Sequence, residues 1–204
     1  MSAAEGKKLV DYRVDGGVAV ITLDNPPANA YSLAMMRQLD AAILAARFDD
    51  AVHVVLITGA GEKFFCAGAD IAMLGEVTPS FKYNFCLHAN ETLARLEQTP
   101  KLVIAALEGH TVGGGLEIAM AADLRIAKKG SGKVGLPEVT LGVLPGTGGT
   151  QRLVRIVGKA RAIELMASGR LISFEEARDL GIVTDLIEAD DFRAAIHAYA
   201  TQFC

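Results

Sequence analysis

LVIAALEGHTVGGGLEIAMAA, residues 102–122, decides how the whole chain is read. Leu102 to Leu107 is an apolar run of strand length, Glu108 to Val112 reads as a turn, and a helix opens at Gly113-Gly114-Gly115 and continues through Ala122. A helix start leaves backbone N–H groups without intrahelical acceptors, and the aligned peptide dipoles there favour negative charge. Positions three apart share a helical face, so the N–H of Gly114 and the side chain of Glu117 are expected to point into one pocket. Twenty-one residues beyond Glu117, the pair Pro137-Glu138 brings a second carboxylate. A strand that feeds a glycine-lined helix start is the unit of an α/β fold, with the ligand-binding loops at the carboxyl ends of the strands.

The same alternation extends in both directions. Val10 to Val14 and Val18 to Leu23 flank Asp15-Gly16-Gly17, which predicts an antiparallel hairpin. Ser32 is placed to cap a helix whose apolar positions Leu33, Met36, Leu39, Ile43 and Leu44 recur at helical spacing. Val52 to Thr58 is a continuous apolar strand of the buried parallel kind, followed by Phe64-Phe65-Cys66-Ala67-Gly68-Ala69-Asp70. Phe81 to Gln98 reads as a second long helix that stops before Pro100. From Gly146 onward the pattern is helical, with Ser173 and Glu176 spaced as a capping box, a short strand from Ile182 to Ile187, and a last helix beginning near Asp190. The expected organisation is a single domain over residues 1–204, with its core at about 8–188 and a final helical segment at 190–204.

Composition narrows the function. The chain has 204 residues, 51% of them hydrophobic, and a formal net charge of −4. Its basic residues are scattered, so no stripe suited to nucleic acid is expected. No apolar run reaches the roughly 18 residues that a membrane span needs. The N-terminal residues lack the apolar stretch of a secretory signal, and Cys66, Cys86 and Cys204 form an odd set without CxxC spacing. A reducing, cytoplasmic location is the expectation. His53, His88, His110 and His197 are isolated, so no metal site is expected. The glycines of 142–149 lack the lysine of a phosphate-binding loop, and no GxSxG elbow occurs.

What remains is acid/base and oxyanion chemistry. Ala67-Gly68-Ala69-Asp70 and Gly113-Gly114-Gly115 each follow an apolar strand, and each would expose main-chain N–H groups at the carboxyl edge of a sheet. Two such donors suit a thioester carbonyl that becomes enolate-like. Either cluster alone is equally well read as a tight turn, and either glutamate alone as a solvated residue. A carboxyl group in an apolar pocket, however, has its neutral form favoured and can serve as a general acid or base.

Together these segments resemble the enoyl-CoA hydratase/isomerase family, also called the crotonase family. The resemblance runs from Val18 to Leu23 and Asn25-Pro26, through Phe65 to Ile71, to Gly113 through Ala127 and Gly135 to Arg152. It implies an α/β, crotonase-like spiral of ββα turns with parallel sheets walled by helices. It assigns the oxyanion hole to the backbone N–H groups of Ala69 and Gly114, the acid/base pair to Glu117 and Glu138, and a water contact to the backbone of Gly146. Coenzyme A would lie across Ala67, Gly68, Ala69, Asp70 and Ile71. It enters as part of the substrate, so no separate cofactor is expected. Isomerases of the family often lack a carboxylate at the position of Glu117, so two glutamates favour addition of water to a 2-trans-enoyl-CoA. The resemblance leaves two alternatives, an enoyl-CoA isomerase or related activity, and a non-catalytic acyl-CoA-binding subunit that depends on a partner. Family members usually assemble as trimers or as hexamers made of two trimers. They continue through further carboxyl-terminal helices, so the segment 190–204 is expected to be incomplete relative to them.

Overall fold

The structure, a computed structural model, describes residues 6–204. Among the described residues ten strands form two sheets. The larger has six strands: β1 (Val10–Asp15), β2 (Val18–Leu23), β3 (Val54–Gly59), β5 (Leu102–Leu107), β7 (Leu124–Lys128) and β10 (Asp185–Ile187), in that spatial order. Only the β1–β2 hairpin is antiparallel, with Asp15 paired to Val18 across the glycine turn. The smaller sheet runs β4 (Phe64–Cys66), β6 (His110–Val112), β8 (Lys133–Gly135), β9 (Ile172–Ser173), with only β9 antiparallel.

Strands of the two sheets alternate along the chain: β3 then β4, β5 then β6, β7 then β8. Each turn of chain thus lays one strand in each sheet before the next begins, which is the spiral expected from the resemblance. The short strands are the main departure from the sequence reading. Glu108 to Val112 is not simply a turn, because His110 to Val112 pair with β4 on one side and β8 on the other. Strands of two or three residues carry too little period-2 pattern to be read from sequence.

Among the described residues eight α-helices accompany the sheets: α1 (Leu33–Phe48), α2 (Ile71–Glu76), α3 (Pro79–Glu97), α4 (Gly114–Met120), α5 (Gly149–Val157), α6 (Lys159–Ser168), α7 (Phe174–Asp179) and α8 (Phe192–Thr201). Ser32, Thr78, Ser173 and Asp191 cap α1, α3, α7 and α8 through side-chain oxygens that accept first-turn N–H groups. The capping box at α7 is only half formed. Ser173 accepts the Glu176 N–H at 3.1 Å, but the Glu176 carboxylate pairs with Arg170 at 2.8 Å. The strand expected at 182–187 begins at Asp185, because Ile182 and Val183 turn back to donate to the Ala177 carbonyl that ends α7.

The large sheet is buried on both faces, which explains its continuous apolar strands. Ala19, Ile21, Val55, Ile57, Val103 and Ala105 face α1 and α3, whereas Val18, Val20, Val54, Leu56, Ile104 and Ala106 face Phe192, Ile196 and Ala200 of α8. The segment 190–204 therefore covers one face of the sheet.

Candidate active site

The turn after β4 and the start of α4, which follows β6, meet at the carboxyl ends of these two neighbouring strands of the smaller sheet. Gly68 has φ of +93°, and a Cβ there would lie 2.9 Å from the nitrogen of Gly114. Glycine is required because the backbones abut and the dihedral is left-handed. The turn is clamped to the segment before α1: the Tyr31 N–H donates to Gly68 O at 2.8 Å, and the Asp70 N–H donates to Tyr31 O at 3.0 Å. These bonds flank Ala69, so its own N–H points away from the Tyr31 strand. The N–H of Gly114 heads α4, where the first donors have no intrahelical acceptor. Among the described residues neither N–H finds another acceptor in the fold.

Asn29 anchors the clamp. Its left-handed φ of 52° lets its amide reach the carbonyls of Ala60 (3.0 Å) and Phe64 (2.9 Å), while its oxygen accepts the Asn25 N–H. Ala67 donates to Ala28 O at 3.0 Å, Asp70 caps α2, and the side chain of Ile71 stands exposed beside the turn.

Glu117 is 1% exposed on α4. Its Oε1 accepts the backbone N–H groups of Thr147 (2.8 Å) and Gly149 (2.7 Å). Burial pushes its carboxyl above the ordinary range, and these N–H groups, the Thr147 hydroxyl and the Arg152 guanidinium pull it back. Glu138 opens a 3-10 turn over Glu138–Leu141 and reaches the same place from the other side, because a Cβ on Gly113 would come within 3.2 Å of Glu138 Oε1. Its Oε2 is buried without a hydrogen-bond partner among the described residues. Desolvation, reinforced by the negative charge of Glu117, pushes the Glu138 carboxyl up to about 7. One carboxylate held by donors beside one kept neutral to near pH 7 is an acid/base arrangement. Gly146 lies on the exposed rim, its carbonyl accepting from Asn90 at 2.8 Å.

All the positions expected to form the site are thus gathered at one place: Ala67 to Ile71, Gly114, Glu117, Glu138 and Gly146. Three supporting residues escaped the sequence reading. Arg152, 8% exposed, donates from Nη1 to Thr147 O (3.0 Å) and from Nη2 to Glu97 (2.9 Å), fixing the turn that holds Glu117. Thr147 and Tyr31 are the others, their hydroxyl oxygens 3.1 Å apart. Only the proximity of Thr147 and Arg152 to the glycines of 146–149 hinted at a role, and Tyr31 carried no signal. His110 does not enter the site. Its Nδ1 accepts the Lys133 N–H at 3.2 Å and its ring lies against Phe64.

The model of the enoyl-CoA hydratase/isomerase family matches residues 13–204. The chain belongs to this family. It is 44% identical over 176 residues to a probable enoyl-CoA hydratase of Bacillus subtilis, an alignment covering 86% of this chain and 67% of the relative. It is 42% identical over 178 residues to the short-chain-enoyl-CoA hydratase of Clostridium acetobutylicum, covering 87% and 68% of the two chains. Among solved structures it resembles an enoyl-CoA hydratase of Geobacillus kaustophilus with a TM-score of 0.93 and 44% identity, over 96% of this chain and 74% of the other. This member of the crotonase family has no described helix long and apolar enough to cross a membrane.

Proposed function

We propose that the protein is an enoyl-CoA hydratase that adds water reversibly, with syn geometry, to a 2-trans-enoyl-CoA and forms a 3-hydroxyacyl-CoA. The observation that carries this reading is the meeting of two glutamate carboxyls, buried Glu117 and half-buried Glu138, beside two backbone N–H groups that find no other acceptor among the described residues. The thioester oxygen would sit between the N–H groups of Ala69 and Gly114, where each donor is typically worth about 3 kcal/mol as negative charge develops. A water between the carboxyl groups would add through oxygen to Cβ, its proton passing to Glu117, while neutral Glu138 gives its proton to Cα. Passage of one proton from Glu117 to Glu138 restores the starting state. The backbone N–H of Gly146 is proposed to hold the water.

The adenine end of coenzyme A is proposed to rest on the Ala67 to Ile71 turn, with exposed Ile71 offering apolar contact. Acid, base and oxyanion donors all come from the chain, so the reaction needs no cofactor beyond the coenzyme A of its substrate. Assembly into trimers or hexamers is proposed by analogy with the family.

The test is loss of the conjugated-thioester absorbance of crotonyl-CoA. Glu138→Gln and Glu117→Gln should each slow turnover by about 10²- to 10⁴-fold while leaving the unfolding transition in place. Full rates in both variants would overturn the assignment.

A further inference from the structure

We propose that Tyr31 and Thr147 are positioning residues for Glu117, two buried hydroxyls in series that orient its carboxylate. Both are 3% exposed, and the Tyr31 hydroxyl lies 3.1 Å from Thr147 Oγ1. Thr147 donates its backbone N–H to Glu117 Oε1 at 2.8 Å, and its hydroxyl stands near enough to favour the charged form of that carboxyl, so we take it as the second donor. The direction of the chain follows from proton counting. An ionised carboxylate only accepts, and a threonine hydroxyl has one proton to give. Once that proton points at Glu117, the Tyr31 O–H must donate to Thr147 Oγ1. Burial and the charge of Glu117 hold the phenol well above its ordinary range, so it remains a donor.

Tyr31 reaches this position because the other half of the site places it there. Its backbone clamps the Ala69 turn, and its hydroxyl occupies the space beside Gly114, where a Cβ would lie 2.2 Å from it. One residue therefore couples the oxyanion turn to the base. Its ring also packs near Phe85, with centroids 5.8 Å apart, a contact that phenylalanine would keep. Among the other ionisable groups Arg152 favours the charge on Glu117, and that charge adds to burial in raising the Glu138 carboxyl and the Cys86 thiol. Arg152 is held in turn by Glu97, and Cys66 acts on Tyr31.

The kinetic consequence rests on the hydratase reading, but the titration does not. In the free protein, ¹³C NMR of labelled glutamate, assigned with Glu117→Gln, should show the Glu117 midpoint rising by about half a pH unit in Tyr31→Phe and about one unit in Thr147→Val, as a donor to the charged form is weakened or lost. Thr147→Ser should retain the wild-type midpoint, and Tyr31→Phe should add nothing in the Thr147→Val background. In turnover, the acid limb of kcat/KM should move by the same amount, with the rate recovering at higher pH. An unmoved midpoint in folded Thr147→Val, or a rate loss equal at every pH, would overturn the proposal. A moved midpoint in protein that does not hydrate crotonyl-CoA would uphold the relay and dismiss the hydratase reading.

Discussion

Glu117 and Glu138 are the same side chain in two differently built regions. Glu117 sits on a helix, almost wholly buried, with Oε1 filled by two backbone donors and a guanidinium behind them. Glu138 sits on a 3-10 turn bordered by exposed Val139, Leu141, Val143 and Leu144, and one of its oxygens is buried without a donor. Burial raises both carboxyls, and the donors decide the difference. A charge in low dielectric is favoured where several N–H groups face it and disfavoured where few do. The first region is over-determined and the second yields, so substitutions should affect them unequally.

Gly114→Ala should have the largest effect. Its Cβ would fall 2.2 Å from the Tyr31 hydroxyl, a buried group with no room to retreat, so a stability loss of about 2–3 kcal/mol and near-complete loss of turnover are expected. Thermal unfolding and crotonyl-CoA hydration check this. An unchanged melting temperature would mean that the first region is not rigid.

Arg152→Met should come next. It removes the donor to Thr147 O and the partner of Glu97, with a cost of about 2 kcal/mol in urea unfolding. It should also raise the Glu117 midpoint and leave that of Glu138 nearly unmoved, which sharpens the contrast between the two sites.

Gly113→Ala tests the yielding region. The new methyl meets Glu138 Oε1 at 3.2 Å, and the backbone at φ +55°, ψ −131° is one that glycine alone adopts readily, so a cost of about 1–2 kcal/mol is expected, chiefly from the backbone. Hydration should fall more than stability, because the carboxyl that turns aside is the proposed proton donor. Equal losses of stability at Gly113 and Gly114 would erase the distinction.

The smallest effect is on pH dependence. The folded value of Glu138, about 7, lies above that of an unfolded glutamate near 4.3. Its contribution to stability is therefore complete below about pH 4 and is lost as pH rises through 7. The difference should be about 1 kcal/mol, since part of the group remains solvated. Denaturant unfolding at pH 5 and pH 8 should show this loss in the wild type and not in Glu138→Gln. Hydration by the free enzyme should decline above pH 7 for the same reason, as the donor ionises.

Much of the fold was legible in the sequence. The hairpin at Asp15-Gly16-Gly17, the caps at Ser32 and Ser173, and the apolar strands β2, β3 and β5 follow from local rules, because turn dihedrals, capping hydrogen bonds and two-sided burial each leave a mark on adjacent residues. The four short strands of the second sheet did not, since their pairing is specified by partners distant in the chain.

For the candidate site the division is similar. By itself the sequence determined the residue types and their spacing: two glutamates, a glycine-lined helix start and a second turn after an apolar strand. These are local facts, since backbone approach demands glycine and an acid/base needs an ionisable side chain. Only the tertiary structure decided that Glu117 is met by two backbone donors while Glu138 keeps one buried oxygen without any, and that Tyr31, Thr147 and Arg152 stand around Glu117. Proton affinity depends on dielectric surroundings and on the hydrogen-bond donors within reach. Both are set by chain segments as far apart as residues 31 and 147, which meet only in the folded chain.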